Sequence, residues 1–292
     1  MIPPRVILAA VDFSGPSRTA LDFAARLARQ TGAALHVLHA QDPLLAEAAR
    51  QSGFNLAEDT SEELGRFLAA VSPAASASPR RHVVTGPAVD SILAVATREG
   101  ADLVVVGSHG MSGAERLVFG SVTEGVLRRA PVSVLVTPRE WSTGSIALDL
   151  SGAGPIIAGV ALSPPSVGAA TAACRLAAAI GTTVEMIHVV AELPVLTRWR
   201  PHADAVVRDR VAAARTALDA VVRDVGCSVL TQARVESGSI PHRLAEAAAP
   251  TADRRPLLVL GRSSGETGAA PGSIAFRVLA LAKVPVWMHV GG

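Results

Sequence analysis

Residues 7–40, ILAAVDFSGPSRTALDFAARLARQTGAALHVLHA, and residues 156–189, IIAGVALSPPSVGAATAACRLAAAIGTTVEMIHV, are two versions of one segment. Gly32 and His39 fall on Gly181 and His188 at a shift of 149 positions, and Gly120-Ser121 and Val134 fall on Gly272-Ser273 and Val286 at a shift of 152. Solenoid units recur every 20–50 residues or so, so a repeat of this length marks a duplicated domain. The 292 residues suit two domains, and with 49% hydrophobic residues each copy can bury its own core. The expected division is a first domain over 1–138, a linker rich in Gly and Ser over 139–153, and a second domain over 154–292.

Within each copy, strand-like and helix-like stretches alternate. Near-continuous apolar runs predict strands near 5–11, 34–40, 81–85, 102–107 and 132–137. Helices are predicted near 16–31, 56–71, 87–99 and 120–129, with apolar residues at helical spacing, as in Ala20, Phe23, Ala24 and Leu27. The second copy predicts strands near 155–161, 183–190, 229–236, 256–261 and 285–290. Strands apolar throughout belong to parallel sheets covered on both faces. The chain therefore reads as α/β: two tandem doubly wound domains, each with a five-stranded, mainly parallel sheet.

Ligands of such sheets sit beyond the carboxyl ends of the strands, where the winding reverses. The first and fourth strands end there at Asp12 and Gly107. Gly107 opens GSHGMSGAERLVFGSVT, a glycine-rich loop running into a helix that starts near Gly120-Ser121. A helix start presents unpaired N–H groups and partial positive charge, and so seats phosphate. The loop is neither a P-loop, since Lys283 is the only lysine, nor a Gly-x-Gly fingerprint, since Gly107, Gly110 and Gly113 are each two residues apart. Phosphate would have to be met by backbone amides, Ser121, Thr123, Arg116 and a divalent cation.

Gly107, Gly110, Gly120 and Ser121 fit Gly-x2-Gly-x9-Gly-Ser without a gap. With Val11-Asp12-Phe13-Ser14 and Leu38-His39-Ala40, this pattern resembles the universal stress protein family, specifically its tandem two-domain members. The resemblance runs over both copies and weakens around 42–80 and 191–230. It implies a Rossmann-like, adenine nucleotide α-hydrolase-like fold, and an ATP-binding role in stress regulation with Mg2+ as the accompanying cation. Asp12 would accept from the ribose hydroxyls and the backbone at Ala40 would meet the adenine edge. Gly107, Gly110, Gly120, Ser121, Val122 and Thr123 would surround the phosphates, with Arg116 beside them, His109 either touching phosphate or standing as a solvent-exposed loop histidine, and Ala10, Val11 and Val106 completing the walls. The family also implies pairing of the two domains through their last strands, here 132–136 and 284–288, with further association into a homodimer as an extension.

The second copy departs from this pattern. Ala161 stands where Asp12 stands, Ser264 replaces the second motif glycine, and Ala275 replaces Thr123. Ten residues separate Gly261 from Gly272, against twelve between Gly107 and Gly120. One competent nucleotide site per chain is expected, in the first copy. The rival readings are a slow ATP-hydrolysing enzyme and a nucleotide-free dimerisation protein. Catalysis would need a positioned base or a cationic clamp. Glu115, Arg116 and His109 are the loop candidates for these roles, and none has a recognisable partner in the sequence.

The remaining chemistry is sparse. A net charge of +2 with scattered arginines argues against nucleic acid. No apolar run approaches the roughly 18 residues of a membrane span, and the start of the chain does not read as a signal peptide. A cytoplasmic setting is expected, with Cys174 and Cys227 as ordinary core residues. No metal site is expected: His36 and His39 lie three apart on a strand and point to opposite faces. His39 and His188 recur at equivalent places, as a structural hydrogen bond would require. Asp12 has a structural alternative too, as a cap for the first helix, although Ser14 and Ser17 are better placed for that. Trp141, Trp199 and Trp287 read as packing residues and the arginines of 200–215 as a solvated helix face, while Pro285, which cannot donate a ladder hydrogen bond, predicts that its strand is an edge or reaches its partner irregularly.

Overall fold

The computed structural model describes residues 3–71, 79–110, 119–139, 141, 154–192, 200–251, 254–262 and 273–291, without the side chains of 200–204. The chain divides into two compact units, residues 1–150 and 151–292.

The first unit contains β1 (Val6–Ala10), α1 (Gly15–Thr31), β2 (Ala34–Gln41), α2 (Pro43–Gln51), α3 (Leu56–Ala69), β3 (Arg80–Thr85), α4 (Ala88–Arg98), β4 (Leu103–Gly107), α5 (Ser121–Arg129) and β5 (Ser133–Thr137). Its strands lie in the order β3-β2-β1-β4-β5, and every pair is parallel. β4 and β5 are buried along their whole length, as near-continuous apolar strands of a sheet covered on both faces must be. Ile7, Leu8, Leu21, Leu38, Leu103 and Leu135 are almost fully buried and form the centre of the core. α1 starts on Ser14, whose side chain accepts from the Ser17 N–H, and ends on Gly32 in the left-handed region at φ 72°.

Helix α2 lies where no element was expected. Asp42 caps it by accepting from the Leu44 and Leu45 N–H groups, and Pro43 pre-sets its first turn. Its burial pattern explains why the sequence hid it. Only Ala49 is buried, while Leu44 is 81% exposed and Leu45 57%, so the apolar residues do not mark its inner face.

The second unit repeats the plan with β6 (Ile156–Gly159), α6 (Pro164–Ile180), β7 (Val184–Ala191), α7 (Arg200–Val225), β8 (Leu230–Gly238), α8 (Ile240–Ala247), β9 (Leu257–Arg262), α9 (Ile274–Leu281) and β10 (Val286–Val290). The strand order within it is β10-β9-β6-β7-β8, again parallel throughout. Pro285 does not interrupt β10. It stands one residue before the strand, and its carbonyl accepts from the Leu258 N–H at 3.0 Å. Arg208, Arg210 and Arg215 on α7 are exposed, while Trp141 and Trp287 are buried; Trp199 lies outside the described residues.

The two cysteines are not separate core residues. Cys174 on α6 and Cys227 form a disulfide across a sequence separation of 53. α7 ends at Val225, and Gly226 then takes a left-handed φ of 58°, turning the chain to bring Cys227 back to α6. Sequence spacing carried no sign of this, because the contact exists only once α6 and α7 are packed.

Candidate functional site

In the first unit the winding reverses at β1, which has β2 on one side and β4 on the other. The crevice beyond the carboxyl ends of β1 and β4 is built from three short chain segments.

The first follows β1. Phe13 takes a left-handed φ of 64°, an uncommon conformation for a residue with a large side chain, and turns the chain sharply into α1. Asp12 supports the turn. Its Oδ1 accepts from the Ser14 N–H at 3.1 Å and from the Ser14 hydroxyl at 2.6 Å, while Ser14 Oγ accepts from the Ser17 N–H at 3.2 Å. Ser14 is thus the cap, and Asp12 orients it. Asp12 therefore has a structural role at this turn, carried by its Oδ1.

The second segment follows β4. A β-carbon at Gly107 would come within 3.0 Å of the Pro16 backbone, so this glycine lets β4 pass against the first turn of α1. A β-carbon at Gly110 would overlap Asp12 Oδ2. The Gly120 N–H donates to the Ser108 carbonyl at 2.9 Å, closing the loop back on itself. The Thr123 hydroxyl, buried, donates to the Gly107 carbonyl at 2.6 Å and ties α5 to the end of β4. α5 starts at Ser121 with Gly120 as its N-cap, and no side chain caps it.

The third segment is the end of β2. Gln41 anchors it: Nε2 donates to the Leu56 carbonyl at 3.1 Å and to Thr60 Oγ1 at 2.7 Å, and Oε1 accepts from the Thr85 hydroxyl at 3.0 Å. His39 stacks on Phe13 with ring centroids 4.4 Å apart. Its Nδ1 lies 2.9 Å from the Val11 carbonyl. A carbonyl can only accept, so Nδ1 carries the proton. Burial pushes the imidazole below its ordinary pKa, against the smaller opposing pulls of that bond and of Asp12.

Ala10, Val11, Asp12, Ala40, Val106, Gly107, His109, Gly110, Gly120, Ser121, Val122 and Thr123 line one cavity of about 130 Å3. These are all the expected site residues except Arg116, which, like Glu115, lies outside the described residues. Ser17, Leu38, Ala88 and Ile92 complete the lining and were not anticipated. Ala88 and Ile92 come from α4, whose place at the crevice depends on the β3–β4 crossover and leaves no motif. His109 Nδ1 lies 3.1 Å from the Ser108 hydroxyl, within the same loop. The cavity encloses only part of a molecule the size of a nucleoside triphosphate, whose usual pockets run to about 300 Å3 and more.

The second unit supplies an internal comparison. Leu162 repeats the left-handed turn at φ 57°, and His188 Nδ1 meets the Val160 carbonyl at 2.7 Å, matching Phe13 and His39. Gly261 repeats the close approach of Gly107, since a side chain there would overlap the Pro165 backbone. These parts belong to the fold. What differs is the chemistry. Ala161 offers no carboxylate, and Ser273 caps α9 itself, accepting from the Phe276 N–H at 3.4 Å. Ser264 and Gly272 lie outside the described residues. The cavity at this place is larger, about 630 Å3, but its described lining is mostly alkyl and holds no carboxylate. Size alone does not make it the better nucleotide site.

Residues 4–138 match the Universal stress protein family. A universal stress protein of Methanocaldococcus jannaschii is 37% identical over 60 residues, 20% of this chain and 37% of that protein. Universal stress protein A homolog 1 of Coxiella burnetii is 31% identical over 134 residues, 44% of this chain and 92% of that protein. The crystal structure of a universal stress protein from Archaeoglobus fulgidus superimposes with a TM-score of 0.67 over 100% of both chains at 17% identity, a likeness of fold. No helix among the described residues is long and apolar enough to cross a membrane. With the strand order, the Gly-x2-Gly-x9-Gly-Ser loop and a relative matched over nearly its whole length, the chain belongs to the universal stress protein family.

Proposed function

We propose that the first unit binds ATP and that the protein serves as a nucleotide-responsive regulator, with the second unit as a scaffold that has lost this site. The observation that carries the proposal is the convergence, in one cavity, of the Asp12 carboxylate and the N-terminus of α5, which no side chain caps. A carboxylate suits the two vicinal hydroxyls of ribose, and such charge-assisted bonds contribute about 1.5–3 kcal/mol each. The helix start suits phosphate. In the second unit, by contrast, Ala161 replaces the carboxylate and Ser273 occupies the helix cap.

Among the described lining residues, Asp12 is the only carboxylate, so Mg2+ would be held chiefly by the phosphates and water, as is usual for this ion. Asp12 and His109 are the only titratable side chains of that lining, and both already serve the geometry of their own turns. This supports holding the nucleotide rather than rapid turnover. The deciding experiment is mass spectrometry of small molecules that co-purify with the chain, followed by calorimetric titration with ATP and an ADP-release assay. One ATP bound per chain without ADP production is expected. Two equally tight sites, or a chain that refuses ATP, would overturn the reading.

A further inference from the structure

Toward the amino ends of β2 and β3, the face covered by α4 carries a polar cluster unrelated to the nucleotide crevice. His36 is buried at 6% exposure, and its Nδ1 lies 3.1 Å from His82 Nε2 and 3.7 Å from Glu99 Oε2. One ligand atom from each of His36, His82 and Glu99 lies within 4.8 Å of the other two. The two imidazoles stack with centroids 5.2 Å apart and planes 21° from parallel. Glu99 is fixed as the C-cap residue of α4, so the three groups come from three separately anchored elements.

We propose that His36, His82 and Glu99 form a binding site for a divalent transition metal ion of the zinc type, independent of any nucleotide. Two imidazoles and one carboxylate are a donor set that such ions favour, and a fourth position would remain for water. Metal–ligand bonds of about 2.0–2.1 Å in tetrahedral array place ligand atoms about 3.4 Å apart. The observed 3.1 and 3.7 Å separations straddle that value, so small side-chain rotations suffice.

Two arginines oppose the ion and set its affinity. Arg80 Nη1 lies 3.0 Å from Glu99 Oε2, and Arg98 Nε lies 2.8 Å from Glu99 Oε1. Arg98 Nη2 also reaches His82 Nδ1 at 3.3 Å. An ion on His82 Nε2 requires the proton to sit on Nδ1, where an arginine can no longer donate. Arg98 would then withdraw, which its side chain, 58% exposed, can do into water. The arginines thus hold the carboxylate ready and tax the incoming charge.

The test is a Co2+ titration of the untagged full-length chain in a non-coordinating buffer, followed by the ligand-field absorption of tetrahedral Co2+ and its displacement by Zn2+. The wild-type chain is expected to develop this band. His82→Ala and Glu99→Gln should each weaken binding about tenfold or more, a loss typical of disturbed metal spheres. Arg98→Ala should tighten binding several-fold, a gain that misfolding cannot imitate. No tetrahedral band in the wild type, or equal affinity in wild type, His82→Ala and Glu99→Gln, would overturn the assignment.

Discussion

Gly110 and Asp12 share one space: a side chain at 110 would overlap the Asp12 Oδ2 atom. The second motif glycine is therefore a condition for the carboxylate's position. Gly110→Ala should displace Asp12 and weaken ATP binding at least about tenfold, with a loss of stability no greater than that of Asp12→Ala. Gly107→Ala should act chiefly on stability. Its methyl group meets the Pro16 backbone at 3.0 Å, so unfolding free energy should fall by about 1–3 kcal/mol. Chemical denaturation and calorimetry on both variants would separate the two roles.

Asp12 can be divided between its own two roles by substitution. Asp12→Asn keeps an oxygen to accept from the Ser14 N–H but loses the charge offered to ribose. Calorimetric titration should show ATP binding weakened about ten- to a hundredfold, with the thermal midpoint of the apo chain nearly unchanged. Asp12→Ala should weaken binding as much and also lower stability, because Ser14 loses its support. Unchanged ATP affinity in both would remove Asp12 from the site.

Acid should destabilise the fold in a defined window. Burial lowers the pKa of His39 below 6.5 and that of His289 from 6.5 to about 4. Below pH 6.5 the unfolded chain takes up protons that the folded chain does not, so unfolding free energy falls with falling pH. For His289 the decline should continue to about pH 4 and then level off. Urea titrations across this range should show a shallower slope in His289→Gln.

Reduction should affect the second unit selectively. The Cys174–Cys227 bridge spans 53 positions of sequence, and the chain-entropy relation for a loop of that length gives about 4 kcal/mol as the stabilisation. Cys227→Ser, or dithiothreitol on the wild type, should lower the unfolding midpoint of residues 151–292 and leave ATP binding in the first unit intact. Hydrogen exchange resolved by unit would report it.

The legible parts of the molecule were those written locally. Apolar runs such as Leu103–Val106 mark a covered parallel strand, Gly32 and Gly181 mark helix ends, and the duplication fixes the number of units. The cavity lining could be named from the sequence because its motif residues cluster at strand ends, where the winding order must bring them together. What escaped depends on distant packing. Helix α2 hides its amphipathicity by exposing two leucines, and Cys174 meets Cys227 only through helix packing. The His36, His82 and Glu99 cluster draws on three elements with no shared spacing. Gly107 also lets β4 pass against α1, a packing role that Gly261 repeats and that the motif alone does not display.

His39 and His188 make the same bond to the carbonyl after the first strand of their units, at 2.9 and 2.7 Å. Each chain thus carries its own blank. The same substitution made at either histidine perturbs an equivalent turn, and only one of those turns borders the Asp12 cavity. Subtracting the effect at 188 from the effect at 39 removes what the architecture loses and leaves what recognition loses, a thermodynamic difference that a single-domain protein cannot provide from within one molecule.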